Sequence, residues 1–312
     1  MLLTVTLNPC LDRIYSIADF APGNIYRPEY PAIRAGGKGV NVARVYSLLG
    51  GNAACAGFLG GISGHFFQNE LKREGICDYF LPCSGETRTK IAVSDTVTGV
   101  ETEINEPGPF ITQEDLCAFL ADLERIVDEM PVRYLALCGS LPPGVPDDFY
   151  VSMANCAQER GILTITDTSG TALSSIIRNG YGIVKPNRDE ASKFYGEALS
   201  NMDIMKEVSH AILQCGISVV MITLGGAGAV LFTGDSAWRS CPPEVHKKHA
   251  LGSGDAFMAG YFMALEEKRD TPDALKLATA VGTANAMAGD PVNFTRAEID
   301  EIAAITDIQE IR

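Results

Sequence analysis

Positive charge is scarce in this sequence. Against 39 Asp and Glu stand 25 Lys and Arg, a formal net charge of −14 over 312 residues. A surface of that sign does not hold nucleic acid non-specifically, so no nucleic-acid partner is expected. Cations gathered in one place are correspondingly informative. Long hydrophobic runs are also missing. The longest strongly apolar stretch, 217–224, falls far short of the ~20 residues a membrane helix needs. The opening residues, MLLTVTLNPC, hold no basic segment and run into Asp12 and Arg13. No export signal and no membrane anchor are therefore expected, and the cytoplasm is the expected compartment. None of the nine Cys forms a CxxC pair, which argues against a zinc ribbon or a thioredoxin motif. Reduced thiols are expected, with Cys138 and Cys215, both in apolar segments, as buried small hydrophobes. The four His include one close pair, His246 and His249, without the companions a metal site needs. Repeats, low-complexity tracts and Pro- or Ser-rich linkers are absent, and the length allows one large domain or two smaller ones.

What is present is alternation. Strand-like runs fall at 2–7, 53–60, 134–140, 163–167, 182–184, 218–225, 228–232 and 237–241. Helical spacing marks 38–49, 147–159, 187–195, 203–215, 254–266, 274–288 and 296–305. The order predicts an α/β protein whose mostly parallel central sheet is covered by helices on both faces. Two stretches, 12–34 and 86–105, show period-two patterns with no helix between the runs. They predict strands of a separate small sheet, a lid. Ligands of open α/β sheets sit beyond the carboxyl ends of the strands, so the turns there are the place to look for chemistry.

Three such turns are rich in glycine. In Ala35-Gly36-Gly37-Lys38-Gly39-Val40-Asn41, glycines open a helix, where backbone N–H groups and the helix dipole favour an anion. Lys38 and Asn41 lie one turn apart on one face. The plain alternative is a tight turn with an exposed Lys; the GxxxxGK[ST] spacing of a Walker A loop is missing. Thr223-Leu224-Gly225-Gly226-Ala227-Gly228 follows the most apolar strand, and no helix pattern comes after it, so alone it reads as a hairpin turn. Gly252-Ser253-Gly254-Asp255 opens a helix with an apolar stripe at Phe257, Tyr261 and Leu265. Either Asp255 favours the first turn electrostatically, or the N–H groups of 252–255 form an anion hole and Asp255 accepts a proton from a hydroxyl.

Two clusters carry further charge. Arg88 and Lys90 repeat on one face of a strand, as a phosphate clamp or as a solvated face. Asn187 and Glu190 are i and i+3 after Lys185. They suit either Mg²⁺ held through water or a helix capping box.

Taken in order, these pieces resemble the PfkB-type sugar kinases of the ribokinase-like fold. The closer similarity is to the phosphosugar branch, which holds 1-phosphofructokinase and tagatose-6-phosphate kinase. The matching text is TLNPCLDR (6–13), AGGKGVNVAR (35–44), GFLGG (57–61), GETRTKI (85–91), TEINEPGP (102–109), GSLPPGVP (139–146), DTSGTAL (167–173), KPNRDE (185–190), TLGGAGA (223–229) and GSGDAFMAG (252–260). The resemblance implies a three-layer fold, a single kinase domain over 1–312 and transfer of a phosphoryl group from ATP, with Mg²⁺, to a ketohexose phosphate. Fructose 1-phosphate is the expected acceptor, since TEINEPGP with Asn105 resembles that subgroup more than the tagatose one. Tagatose 6-phosphate is the alternative. A non-catalytic phosphosugar-binding or regulatory protein on the same fold is the alternative of another class.

The resemblance also implies roles. Asp12 and the backbone at Gly37 would hold sugar hydroxyls. Lys38, Asn41, Arg88 and Lys90 would hold the sugar and its phosphate, and Ser140 would line the pocket. Lys185 would reach ATP phosphates, and Asn187 and Glu190 would position Mg²⁺ through water. Thr223, Gly225 and Gly228 would border the nucleotide. Gly252, Ser253 and Gly254 would form the anion hole, with Asp255 as base. The lid would form a homodimer. Two departures stand out: Lys90, where this branch more often has Asn, and the segment 246–251, where HKKHAL replaces a valine-rich approach to the base.

Overall fold

The computed structural model describes residues 1–29, 31–249, 251–289 and 292–311. Its strands are β1 (Leu2–Thr6), β2 (Cys10–Ile17), β3 (Ala32–Gly36), β4 (Ala53–Leu59), β5 (Cys77–Pro82), β6 (Arg88–Asp95), β7 (Glu101–Asn105), β8 (Tyr134–Cys138), β9 (Leu163–Asp167), β10 (Ile183–Val184), β11 (Val219–Thr223), β12 (Ala229–Phe232), β13 (Ala237–Cys241) and β14 (Asp307–Glu310). Its helices are α1 (Lys38–Leu48), α2 (Gly61–Arg73), α3 (Gln113–Glu129), α4 (Phe149–Glu159), α5 (Gly170–Asn179), α6 (Arg188–Tyr195), α7 (Met202–Gln214), α8 (Ser253–Glu266), α9 (Thr271–Met287) and α10 (Arg296–Ile305).

Ten strands form one sheet, in the order β14-β13-β12-β11-β10-β9-β8-β1-β4-β5. From β5 to β11 every neighbouring pair is parallel, and β12 to β14 add an antiparallel edge. Both faces are covered, which is why β1 is buried along its whole length instead of alternating. Leu2 points into a core shared with α1, α2, α8, α9 and α10; Leu3 and Val5 point into the core of α3, α4, α5 and α7. The three-layer α/β expectation is therefore met.

The expected stripe on α8 is not. Every residue from Asp255 to Ala264 is buried, because the helix packs against both α1 and α9. Fully buried Phe262 belongs to the class whose truncation to Ala costs about 3–5 kcal/mol. Cys215 is a second correction. Helix α7 buries Met205, Val208, Ser209 and Ile212; Cys215 falls at its C-cap, off that face, and is exposed. Cys138 is buried as expected. Helices α2, α3 and α5 and strands β5 and β14 complete the β/α alternation where no element was assigned from sequence.

The lid is a four-stranded sheet in the order β3-β2-β6-β7, from the two expected stretches. Register aligns Arg34, Asp12, Lys90 and Asn105 in one row across it. The lid is tied at its root: Gly60 N–H donates to Thr87 Oγ1 and Thr87 N–H to the Gly60 carbonyl, each at 2.9 Å. The neighbouring Glu86 carboxylate accepts the Ser63 and Ile62 N–H groups at the start of α2, a charge-assisted cap on free helical donors. No helix among the described residues is long and apolar enough to cross a membrane.

Candidate active site

The carboxyl ends of β1, β8, β9, β10 and β11 open into a cavity of about 1080 Å³ beneath the lid. Every residue given a substrate, nucleotide, metal or catalytic role from the sequence lines it. From the lid side come Asp12, Arg88 and Lys90. From α1 come Gly37, Lys38 and Asn41, and from the turn after β8 comes Ser140. Lys185, Asn187, Glu190, Thr223, Gly225 and Gly228 form one end, and Gly252, Ser253, Gly254 and Asp255 form the floor. Of the unusual 246–251 segment, Lys247 and Leu251 line the cavity, and Ala250 lies outside the described residues.

The floor is the most charged part. Gly252, at φ 72°, is the N-cap of α8, and no side chain caps that end. A left-handed φ is strained for any residue with a Cβ, so glycine suits it. The first-turn N–H groups of α8 therefore open onto the cavity, the arrangement that binds anions. Lys185 reaches the same point: a Cβ placed on Gly254 would lie 3.6 Å from its Nζ.

Asp255 sits in that first turn, buried, and accepts a hydrogen bond on Oδ2 from Asn41 Nδ2 at 2.8 Å. Burial and the nearby Asp167 charge push its pKa up to about 6, although Lys38, the Asn41 bond and Lys185 oppose them. A carboxylate so placed is ionised at neutral pH and more basic than an ordinary Asp, as a general base requires.

Sequence reasoning assigned no role to Asp167, yet it organises the floor. Its two oxygens accept one ammonium each, Lys38 at Oδ1 and Lys185 at Oδ2, both at 2.8 Å. Burial alone would raise its pKa; the two lysines outweigh burial and hold it below the usual range. Lys38 is raised for the complementary reason: burial lowers it, but Asp167, Glu190 and Asp255 together win. Lys38 thus pairs with Asp167 on the floor; the resemblance assigned it to the sugar and its phosphate. DTSGTAL contains Asp167, but no spacing rule links it to a lysine 129 residues earlier. Asn285 on α9 was also not foreseen. Its Nδ2 donates to the Leu251 carbonyl at 2.9 Å and to Ser253 Oγ at 3.3 Å, and its Oδ1 accepts Val292 N–H. It holds the turn that enters α8.

Asn187 and Glu190 do form a capping box at α6: Asn187 Oδ1 accepts Glu190 N–H, and Glu190 Oε2 accepts Asn187 N–H, each at 2.8 Å. Glu190 Oε1 remains toward the cavity, 3.7 Å from Lys38 Nζ. Both sequence readings of this pair are compatible, since the cap uses one carboxylate oxygen. No group of three or more His, Cys, Asp or Glu among the described residues is arranged to hold a metal. One carboxylate oxygen and an amide suit Mg²⁺ that keeps most of its waters and binds mainly to substrate phosphates.

The lid end is less buried. Lys90 Nζ pairs with Glu103 at 2.6 Å, and its pKa rises despite burial through that bond and the Asp12 charge. Asp12 is raised by burial, against the pull of Lys90. Its carboxylate packs on Gly36, where a Cβ would come within 2.4 Å of Asp12 Oδ2; the close approach requires glycine. Arg88 donates to the Asn8 carbonyl at 3.2 Å and the Glu106 carbonyl at 3.3 Å.

Comparison with known proteins agrees with this geometry. The family described as pfkB family carbohydrate kinase matches residues 5–293. A 1-phosphofructokinase of Bacillus subtilis is 30% identical over 92% of each chain. A tagatose-6-phosphate kinase of Staphylococcus epidermidis is 33% identical over the full length of both. Among solved structures, one named as a possible 1-phosphofructokinase of Thermotoga maritima superposes with a TM-score of 0.92 at 27% identity, covering both chains completely. The chain belongs to the pfkB family of carbohydrate kinases and is a phosphotransferase.

Proposed function

We propose that the protein phosphorylates a ketohexose phosphate with ATP, and that fructose 1-phosphate is the acceptor, yielding fructose 1,6-bisphosphate. One observation carries the reading: Asp255, in the first turn of a helix whose N-terminus no side chain caps and Lys185 flanks, shares one cavity with Arg88 and Lys90 of the lid. Arg88 and Lys90 suit the phosphate already on the sugar, and Asp12 and Ser140 suit its hydroxyls. The α8 N–H groups and Lys185 suit the phosphoryl group in flight. The acceptor hydroxyl gives its proton to Asp255, its oxygen bonds the γ-phosphorus, and the bond from that phosphorus to the ADP oxygen breaks. Phosphoryl transfer needs little more than this positioning and charge stabilisation. Mg²⁺, held through water by Asn187 and Glu190, would neutralise charge on the phosphates.

The acceptor is where two readings meet. The Bacillus subtilis relative favours fructose 1-phosphate, and Asn105 lines the cavity beside the lid cations. The Staphylococcus epidermidis relative favours tagatose 6-phosphate. A coupled ADP-release assay with fructose 1-phosphate, tagatose 6-phosphate, fructose 6-phosphate and fructose compares them directly. We expect the highest kcat/KM with fructose 1-phosphate. A preference for tagatose 6-phosphate moves the assignment to the other reading, and turnover of free fructose alone removes the phosphate clamp.

The same reading includes a homodimer through the lid. Val97, Val100 and Ile104, on or beside β6 and β7, are 68%, 60% and 59% exposed, an apolar surface of the kind that pairs. Sedimentation should give a dimer mass, and Ile104→Glu should shift it toward the monomer; a monomeric wild type overturns this part.

A further inference from the structure

Asn41 holds Asp255 only if its amide faces the right way, and an amide can turn over. Its Oδ1 faces Arg44, whose Nη1 donates to it at 3.4 Å. Arg44 is itself fixed by a two-bond clasp on Glu74, Nε to Oε2 at 2.6 Å and Nη2 to Oε1 at 2.9 Å. Behind these residues lies a second cavity of about 630 Å³, walled by Asn41, Arg44, Glu70 and Glu74 and reaching Asp12 and Gly252. With space there, packing alone does not select the amide's orientation; the Arg44 guanidinium on one side and the Asp255 carboxylate on the other do. A turned amide would set NH₂ against the guanidinium and its oxygen against the Asp255 carboxylate. Both contacts are repulsive, since a guanidinium has no acceptor and an ionised carboxylate has no donor.

We propose that Arg44, clasped by Glu74, is a positioning residue for catalysis: it locks the Asn41 amide so that Nδ2 donates to Asp255 Oδ2, leaving Oδ1 for the acceptor hydroxyl. The inference rests on Asp255 acting as base. The bond to Asn41 favours the charged carboxylate and counters burial. The other groups facing Asp255 are Asp167 from β9, Lys38 from α1, Lys185 beyond β10 and the Cys138 thiol from β8. Among the described residues Arg44 bonds Glu74 and Asn41 and none of these groups.

The test uses the whole enzyme with ATP, Mg²⁺ and its best phosphosugar. Asp255→Asn is measured first; if it turns over at the wild-type rate, the base reading fails, and the inference with it. Given that loss, kcat is followed against pH for wild type, Arg44→Met and Arg44→Lys. The phosphosugar's own ionisation near pH 6 is common to all three. Loss of a hydrogen bond to the charged form raises a carboxylate's pKa, so Arg44→Met should move the acid limb upward by about one pH unit. Its kcat should fall about twofold at pH 7 and roughly tenfold near pH 5, with both KM values within about twofold. Arg44→Lys should recover part of the shift. Glu74→Gln, which loosens the clasp without removing the arginine, should give a smaller shift of the same sign and serves if Arg44→Met does not fold. A lowered Tm with an unmoved acid limb would mean that Arg44 only braces the fold and would overturn the inference.

Discussion

The floor and the lid of the cavity both carry ionised groups, but they hold them differently. On the floor, Asp167, Lys185 and Asp255 are all but sealed from solvent, and each leans on another buried charge. On the lid, Lys90 is paired to a Glu103 carboxylate that is 37% exposed, and Arg88 donates to two backbone carbonyls. Screening by water is weak in the first place and strong in the second. Substitutions on the floor should therefore move both chemistry and stability, whereas those on the lid should move binding and leave the fold alone.

The largest effect is expected at Asp255. Replacement by Asn removes the proton acceptor and should lower kcat by ~10²-fold or more, while ATP still binds by calorimetry. Its stability should change in the opposite direction. The folded pKa, about 6, lies above the ordinary 3.8, so the native state favours the protonated form. That contribution is complete below pH 3.8 and is lost as pH rises through 6. At pH 7.5 the wild type bears the cost of a buried charge, which Asn does not, and the variant should unfold about 1–3 kcal/mol later in urea. A variant that is inactive and also less stable would mean that Asp255 is held mainly for structure. In the wild type, kcat should fall on the acid side as pH drops through about 6.

Asp167→Asn should be next, with the reverse sign in stability. It leaves Lys185, with a side chain 4% exposed, unpaired and close to Lys38. Breaking one partner of a buried pair costs about 3–5 kcal/mol, readable in the same urea titration. In the wild type this stabilisation is present above the ordinary Asp pKa and is lost as pH falls through the lower folded value. The two aspartates, in one cavity, should therefore separate cleanly: one substitution stabilises and the other destabilises. Equal shifts in both would erase the distinction.

That distinction was only half visible in the chain. Asp255 draws notice because two glycines before it and a helix pattern after it make an anion-binding turn one of its two local readings. The strand alternation and the two period-two stretches likewise foretell the sheet and the lid, since periodicity is local. Asp167 has no such local mark; it matters because parallel pairing sets β9 beside β8 and β10, within reach of Lys38 and Lys185. Asn285 is the same case, an amide inside a helix whose targets lie 32 and 34 residues earlier. Cys215 misled because an apolar neighbourhood in sequence was read as burial, when α7 had already turned it off the buried face. The α8 stripe failed for the converse reason: a helix enclosed on all sides has no stripe.

On the lid, Arg88→Ala should act on binding alone. Its guanidinium spans the carbonyls of Asn8, just before β2, and Glu106, just after β7, so a phosphate there would meet a donor already oriented. Losing one charge-assisted contact to a phosphate should raise KM for the phosphosugar by roughly 10- to 30-fold, with kcat within about threefold. Stability should stay within about 0.5 kcal/mol, because the carbonyls it leaves can turn to water. Steady-state kinetics with the phosphosugar varied at saturating ATP make the check, and an unchanged KM would remove Arg88 from the clamp. A fall in kcat as large as that of Asp255→Asn would show that lid and floor are not separable and that the lid's cations take part in the chemical step.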